Sequence, residues 1–105
     1  MVSVKWGDIW WGEPPNEKPR PYLLLTRDAA IPVLSRVVAA PISSTVRGIP
    51  TEVRLGSAEG LPIECVASMD NIFTLRKAYL IRRMGALDRS RRPEVCAAVA
   101  AAIDC

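Results

Sequence analysis

Near residue 88 the spacing of apolar residues changes, and that change limits the folds open to this chain. Before it, apolar residues come in short runs separated by proline, glycine and polar clusters; after it, they recur at helical intervals. Val4 to Trp11 reads as a first strand rich in Trp and Ile. Residues 12–19 hold three prolines, an asparagine and two acids, and read as a loop because Pro denies ladder hydrogen bonds. Pro21 to Thr26 is apolar with little alternation, which predicts a strand buried on both faces. Asp28-Ala29-Ala30 can begin one helical turn before Pro32 ends it. Arg36 to Ala40 reads as a third strand, and residues 43–50 as the loop that follows. In Thr51 to Leu55, Val53 and Leu55 alternate with charged neighbours, the mark of a half-exposed strand. Gly56 to Gly60 predicts a turn, Ile63 to Met69 a strand, and Tyr79 to Leu87 one more, bent at Gly85.

From about Ser90, Val95, Val99, Ala102 and Ile103 share one face of a helix expected over about 90–104. Asp88 and Ser90 are its cap candidates, and Pro93 is tolerated within its first turn. Several short strands with no helix between them imply a small, strongly bent antiparallel sheet or partial barrel. The expected fold is mostly β with a C-terminal helix. At 105 residues the chain has room for one domain, 1–105, which would bury roughly 60 to 70% of its unfolded surface.

Composition removes several chemistries. There is no histidine, which excludes a Ser-His-Asp triad and a His-ligated metal from a single chain. Fourteen basic residues against eleven acidic give a net charge of +3, too little for a histone-like polycation. Eleven of the fourteen are arginines, whose rigid fork grips phosphate and stacks on bases. The three cysteines, Cys65, Cys96 and Cys105, lack the spacing of a zinc knuckle or a redox pair. Cys65 reads as a small buried hydrophobe. The N-terminus has no apolar signal segment and no run approaches a membrane span, so the expected location is cytoplasmic, with no membrane partner.

Polar chemistry is then left to Arg, Ser, Thr, Asp and Glu, and two stretches concentrate it. Arg20 stands immediately before the apolar run Pro21-Tyr22-Leu23-Leu24-Leu25, and Ser43 immediately after Val37-Val38-Ala39-Ala40-Pro41-Ile42. A charged donor and a hydroxyl suit phosphate better than amide hydrolysis. Arg20 could equally pair with a surface acid, and Ser43 could satisfy a local turn. Of the adjacent Trp10 and Trp11 only one can face inward, and the other is available to stack a base or a partner chain.

The order of these motifs resembles the MazF/PemK family of toxin endoribonucleases. Trp6-Gly7-Asp8-Ile9-Trp10, Arg20-Pro21 opening an apolar strand, and Ala39-Ala40-Pro41-Ile42-Ser43-Ser44 carry the resemblance. So do Cys65 to Leu75, with Asp70-Asn71-Ile72-Phe73-Thr74 at its centre, and Arg82-Arg83-Met84-Gly85 before a final helix. The resemblance implies an SH3-like barrel of plug-like outline, acting as a homodimer. It implies sequence-specific cleavage of single-stranded RNA without metal or other cofactor, leaving a 2′,3′-cyclic phosphate and a 5′-hydroxyl. A cognate antitoxin with an acidic C-terminal segment would block the groove.

The family's catalytic pair falls on Arg20 and Ser43. The RNA-contacting set implied around them is Trp11, Glu13, Ser44, Thr45, Asp70, Asn71, Phe73 and Thr74, with Phe73 the better base-stacking candidate. Glu13, Glu17 and Asp70 are open alternatives for the group that accepts the 2′-hydroxyl proton. Ser68 stands where one branch of the family has a basic residue that acts as an acid, so that route does not carry over; the first loop, which borders the RNA channel in relatives, lacks the Gly-Ser-Glu of many of them, so the cleavage sequence does not carry over either. Two other functions fit such a barrel: holding RNA without cutting it, and binding gyrase as the CcdB relatives of this fold do.

Overall fold

The structure is a computed structural model that describes residues 3–104. Seven strands form one antiparallel system: β1 (Asp8–Gly12), β2 (Arg20–Leu24), β3 (Arg36–Ser43), β4 (Glu52–Leu55), β5 (Cys65–Ser68), β6 (Phe73–Arg76) and β7 (Leu80–Ala86). Among the described residues the one α-helix, α1 (Arg92–Ile103), follows a 3-10 turn at Arg89–Arg91. The strand order is β4-β5-β3-β2-β1-β7, with β6 also paired to β3. The expected mostly-β fold with a C-terminal helix is therefore the observed one. No helix among the described residues is long and apolar enough to cross a membrane.

The central strands are buried on both faces. Ile9, Leu23, Ala40 and Ile42 point into one cluster, which α1 closes with Val95 and Ala98. Their neighbours Trp10, Tyr22, Leu24, Val37 and Ala39 point into a second cluster with Leu75 and Leu80. This double burial is why the strands read as continuous apolar runs. On β4, by contrast, Val53 and Leu55 are buried while Arg54 is exposed, as alternation predicts.

Two glycines seal the sheet's outer strands. Gly60 follows β4 in a left-handed turn at φ 90°, and its backbone lies against Met84 and Gly85 of β7. A Cβ at Gly60 would fall on the Met84 carbonyl oxygen, and one at Gly85 on that of Glu59. The register of β7 against β1 shifts between Ile9/Gly85 and Trp10/Arg83, so Met84 is an extra residue and the strand bends there. Arg91 fastens α1 to this seam, donating to the Arg54 carbonyl at 2.7 Å and pairing with Glu94 at 2.7 Å.

Several boundaries differ from expectation. The first strand starts at Asp8, not Val4, because Gly7 adopts φ 83° and Asp8 closes a turn back to Lys5. β3 runs on through Pro41 to Ser43. β6 pairs residues 36–39 and β5 pairs 42–43, so Pro41 sits between partners and its missing N–H interrupts neither ladder. β5 begins at Cys65 because Pro62 and Ile63 form an exposed bend. The separate strand β6 was not expected; of its four residues only Leu75 is buried. On α1, Ala98 takes the inward place, and Ile103 is 54% exposed.

Candidate active site

Arg20 opens β2 with Gly12 of β1 as its Cα partner. On its other side β2 pairs β3 with Tyr22 opposite Pro41 and Leu23 opposite Ala40. Continuing that antiparallel register along both strands brings Arg20 opposite Ser43. The two residues lie 23 apart in sequence, yet both line a cleft of about 180 Å³ floored by Val66.

Arg20 is also common to two further concavities. One, of about 420 Å³, is lined by Glu17, Tyr22, Pro41, Asn71 and Phe73. The other, of about 310 Å³, is more apolar and is lined by Trp11, Ile42, Ser43, Ile63 and Met84 among others. The Nε of Arg20 is buried and has no hydrogen-bond partner. A buried donor on a charged group without a partner is rare in folded proteins, and the residue that carries it lines all three concavities.

The neighbours tune this site. The Ser43 hydroxyl oxygen accepts from the Thr45 N–H at 3.1 Å, which leaves its O–H to donate outward. Tyr22 is held by an edge-on contact with Phe73, ring centroids 5.7 Å apart. Burial pushes its phenol above the ordinary value; Arg20 pulls it down and Glu17 pushes it up. The phenol therefore stays protonated at neutral pH.

Other sequence candidates fall in different places. Thr45 and Asn71 line the Arg20–Ser43 cleft, Ser44 and Trp11 the apolar one, and Phe73 the largest. Trp11 is the outward member of the Trp10–Trp11 pair, since Trp10 is buried in the second core cluster. Thr74 lines a groove of about 320 Å³ on the far side of Phe73. Two candidate acids are engaged elsewhere: the Glu13 carboxylate accepts from Trp11 Nε1 at 2.9 Å, and Asp70 from Thr51 Oγ1 at 2.6 Å.

Arg47 and Glu52 also line the Arg20–Ser43 cleft, and neither was legible as a site residue. Glu52 accepts from the N–H groups of Arg47 at 3.1 Å and Gly48 at 2.9 Å, which fixes the loop carrying Arg47. In sequence Glu52 is only the exposed phase of a strand. Its backbone-directed bonds leave no side-chain pattern to read. Arg20 and Arg47 line this cleft with Glu52, while Lys18 lines the adjoining apolar one and Glu17 the one at Phe73. The site can thus hold a phosphodiester and stabilise added charge on it.

Comparison with known proteins adds independent findings. Residues 5–103 match the family described as PemK-like, MazF-like toxin of type II toxin-antitoxin system. The chain is 36% identical to "Probable endoribonuclease MazF5" of Mycobacterium tuberculosis over 94% of its own length and 92% of that protein's. The fold superposes on Mycobacterium tuberculosis toxin MazF-mt6 with a TM-score of 0.86 and 38% identity, covering 92% of this chain and 96% of that one. It also superposes on a mycobacterial endoribonuclease solved in complex with its cognate antitoxin. There the TM-score is 0.85 at 26% identity, over 97% of this chain and 96% of that one.

Proposed function

The chain belongs to the PemK-like, MazF-like toxins of type II toxin-antitoxin systems, and from that premise we propose an endoribonuclease that cleaves single-stranded RNA at the Arg20–Ser43 cleft. The observation that carries the assignment is the buried, unpartnered Nε of Arg20 in a cleft that Ser43 shares. The nucleophile is the RNA's own 2′-oxygen, so no nucleophilic side chain is required. The 2′-oxygen forms a bond to phosphorus, the bond from phosphorus to the 5′-oxygen breaks, and the products are a 2′,3′-cyclic phosphate and a 5′-hydroxyl.

The enzyme's part is to align this displacement and to stabilise charge on the phosphorane oxygens. Arg20 donates charge-assisted hydrogen bonds to those oxygens, and Ser43 O–H adds another. Glu17 is the carboxylate that receives the 2′-hydroxyl proton. It shares Arg20's largest cleft, whereas Glu13 and Asp70 already accept from Trp11 and Thr51. Solvent protonates the departing 5′-oxygen. Trp11, Thr45, Asn71 and Phe73 line the path on which flanking nucleotides lie.

The same reading makes the active species a cytoplasmic homodimer restrained by a cognate antitoxin with an acidic C-terminal segment. Val33, Ile63 and Ile81, 80%, 58% and 57% exposed, give a partner chain apolar surface to cover. The test is cleavage of single-stranded RNA in the presence of a chelator, with chemical identification of the new ends. Cyclic-phosphate and 5′-hydroxyl ends, with activity falling about 10²- to 10³-fold in Arg20→Ala, are expected. RNA binding without cleavage in the wild-type protein would instead indicate a binding module.

A further inference from the structure

Arg36 and Arg76 are register partners at one end of the β3–β6 pair, so two exposed arginines are direct cross-strand neighbours. Like charges in that position oppose strand pairing. Neither arginine has an ion-pair partner among the described residues, as is true of most arginines here; only Arg54, Arg83, Arg89 and Arg91 are paired. Both line the groove of about 320 Å³ beside β6, together with Phe73, Tyr79 and Glu17. Glu17 and Phe73 also line the largest Arg20 cleft, which makes the two concavities neighbours along one path.

We propose that Arg36 and Arg76 form a second phosphate subsite, which grips the RNA backbone beyond the scissile phosphate while Phe73 and Tyr79 offer ring faces to the intervening bases. The inference rests on the ribonuclease reading. Two cations that share the groove with one acid, Glu17, and pair with neither it nor any other acid favour a bound anion. The aromatic pair and the continuity with the Arg20 cleft favour an RNA strand over an isolated anion or an acidic peptide. On β3, Arg36 and Ser43 are seven residues apart, about 23 Å of extended chain and an odd step that puts them on alternate faces, so only an RNA of several nucleotides that rounds the β6 edge at Phe73 can span both sites.

The informative substitution is Arg36→Glu, because it places an acid opposite Arg76. Removing the like-charge pair should hold or raise thermal stability while abolishing the subsite. Wild type and variant are titrated with two non-cleavable 2′-deoxy-substituted RNAs, one of roughly eight nucleotides and one dinucleotide, at several salt concentrations. For the longer RNA, affinity should fall about tenfold and the slope of log K against log salt should flatten by about 0.7 per lost phosphate contact. The loss for the dinucleotide should stay below about threefold.

Equal losses for both RNAs, or none for either, overturn the subsite while leaving ribonuclease function intact. A wild-type protein that neither binds nor cleaves either RNA overturns the ribonuclease reading and the subsite with it. The double variant Arg36→Gln, Arg76→Gln must show the same dependence on RNA length; a different dependence also overturns the proposal.

Discussion

Gly12 lies flat against the ring of Tyr22: a Cβ there would stand 2.9 Å from both Cδ2 and Cε2. Tyr22 is 1% exposed and wedged against Phe73, so the ring has little room to yield. Gly12→Ala should therefore destabilise the fold by about 1–3 kcal/mol, the usual penalty for overpacking. Because Tyr22 also walls the Arg20 cleft, cleavage should fall in protein that remains folded. Urea denaturation and single-turnover cleavage together check this. A variant with wild-type stability and rate would show that the ring moves aside freely.

Asp28 ties the start of the chain to the start of the helix. Its carboxylate accepts from the Trp6 N–H at 2.7 Å and pairs with Arg89, and Arg92 stacks over the Trp6 ring at 4.2 Å. The Trp6 hydrogen bond first, and then Arg89, hold its pKa below the ordinary carboxylate value. A group depressed on folding contributes stability above its unfolded pKa, about 3.9, and that contribution is lost as pH falls through the folded value. Asp28→Asn should melt below wild type at pH 7, with the gap narrowing as pH falls below the unfolded value of about 3.9. Melting curves across that range decide it. A gap independent of pH would mean that the charge contributes nothing.

How much of this was legible depended on whether the signal was local. The double burial of Leu23 and Leu24 shows as an unbroken apolar run, and the final helix shows in the spacing of Val95 and Val99. The start of β1 did not show, because Val4 and Trp6 look like strand residues, yet Trp6 lies in a turn set by Gly7 and Val4 in irregular chain before it. Pro41 looked like a strand end. It is tolerated inside β3 only because β5 and β6 leave it unpaired, a fact of tertiary pairing. The candidate site divides in the same way. Arg20 and Ser43 were visible as polar residues bordering apolar strands, but their meeting follows from register. Arg47 and Glu52 were not visible at all, since Glu52 works through backbone N–H groups.

Three carboxylates near the site should behave differently when neutralised. Glu17→Gln should lower the cleavage rate about 10²- to 10⁴-fold, the usual contribution of a positioned proton acceptor, with little change in thermal stability. Glu13→Gln keeps an acceptor for Trp11 Nε1 and should have a small effect. Asp70→Asn should lower stability more than rate, because it weakens the bond from the buried Thr51 hydroxyl. Single-turnover rates and melting temperatures of all three variants give the ranking. If Asp70→Asn proves the slowest catalyst at unchanged stability, the proton acceptor has been misassigned.

An acidic antitoxin segment should compete directly with RNA, because Arg20 and Ser43 belong to the wall between the polar clefts and the apolar one. A peptide that seats apolar side chains against Trp11, Ile42 and Met84 also brings its carboxylates to Arg20. RNA binding relies on phosphate contacts, so its log K should fall with log salt at about 0.7 per contacted phosphate. The peptide draws part of its affinity from apolar burial, which salt does not screen, and its slope should be shallower. Raising salt should therefore shift the competition toward the peptide. The measurement is displacement of a labelled, non-cleavable RNA by an acidic peptide with apolar anchors, repeated at low and high salt. If RNA and peptide bind together without altering each other's affinity, the shared wall is not the point of inhibition, and an antitoxin would have to act from a separate surface.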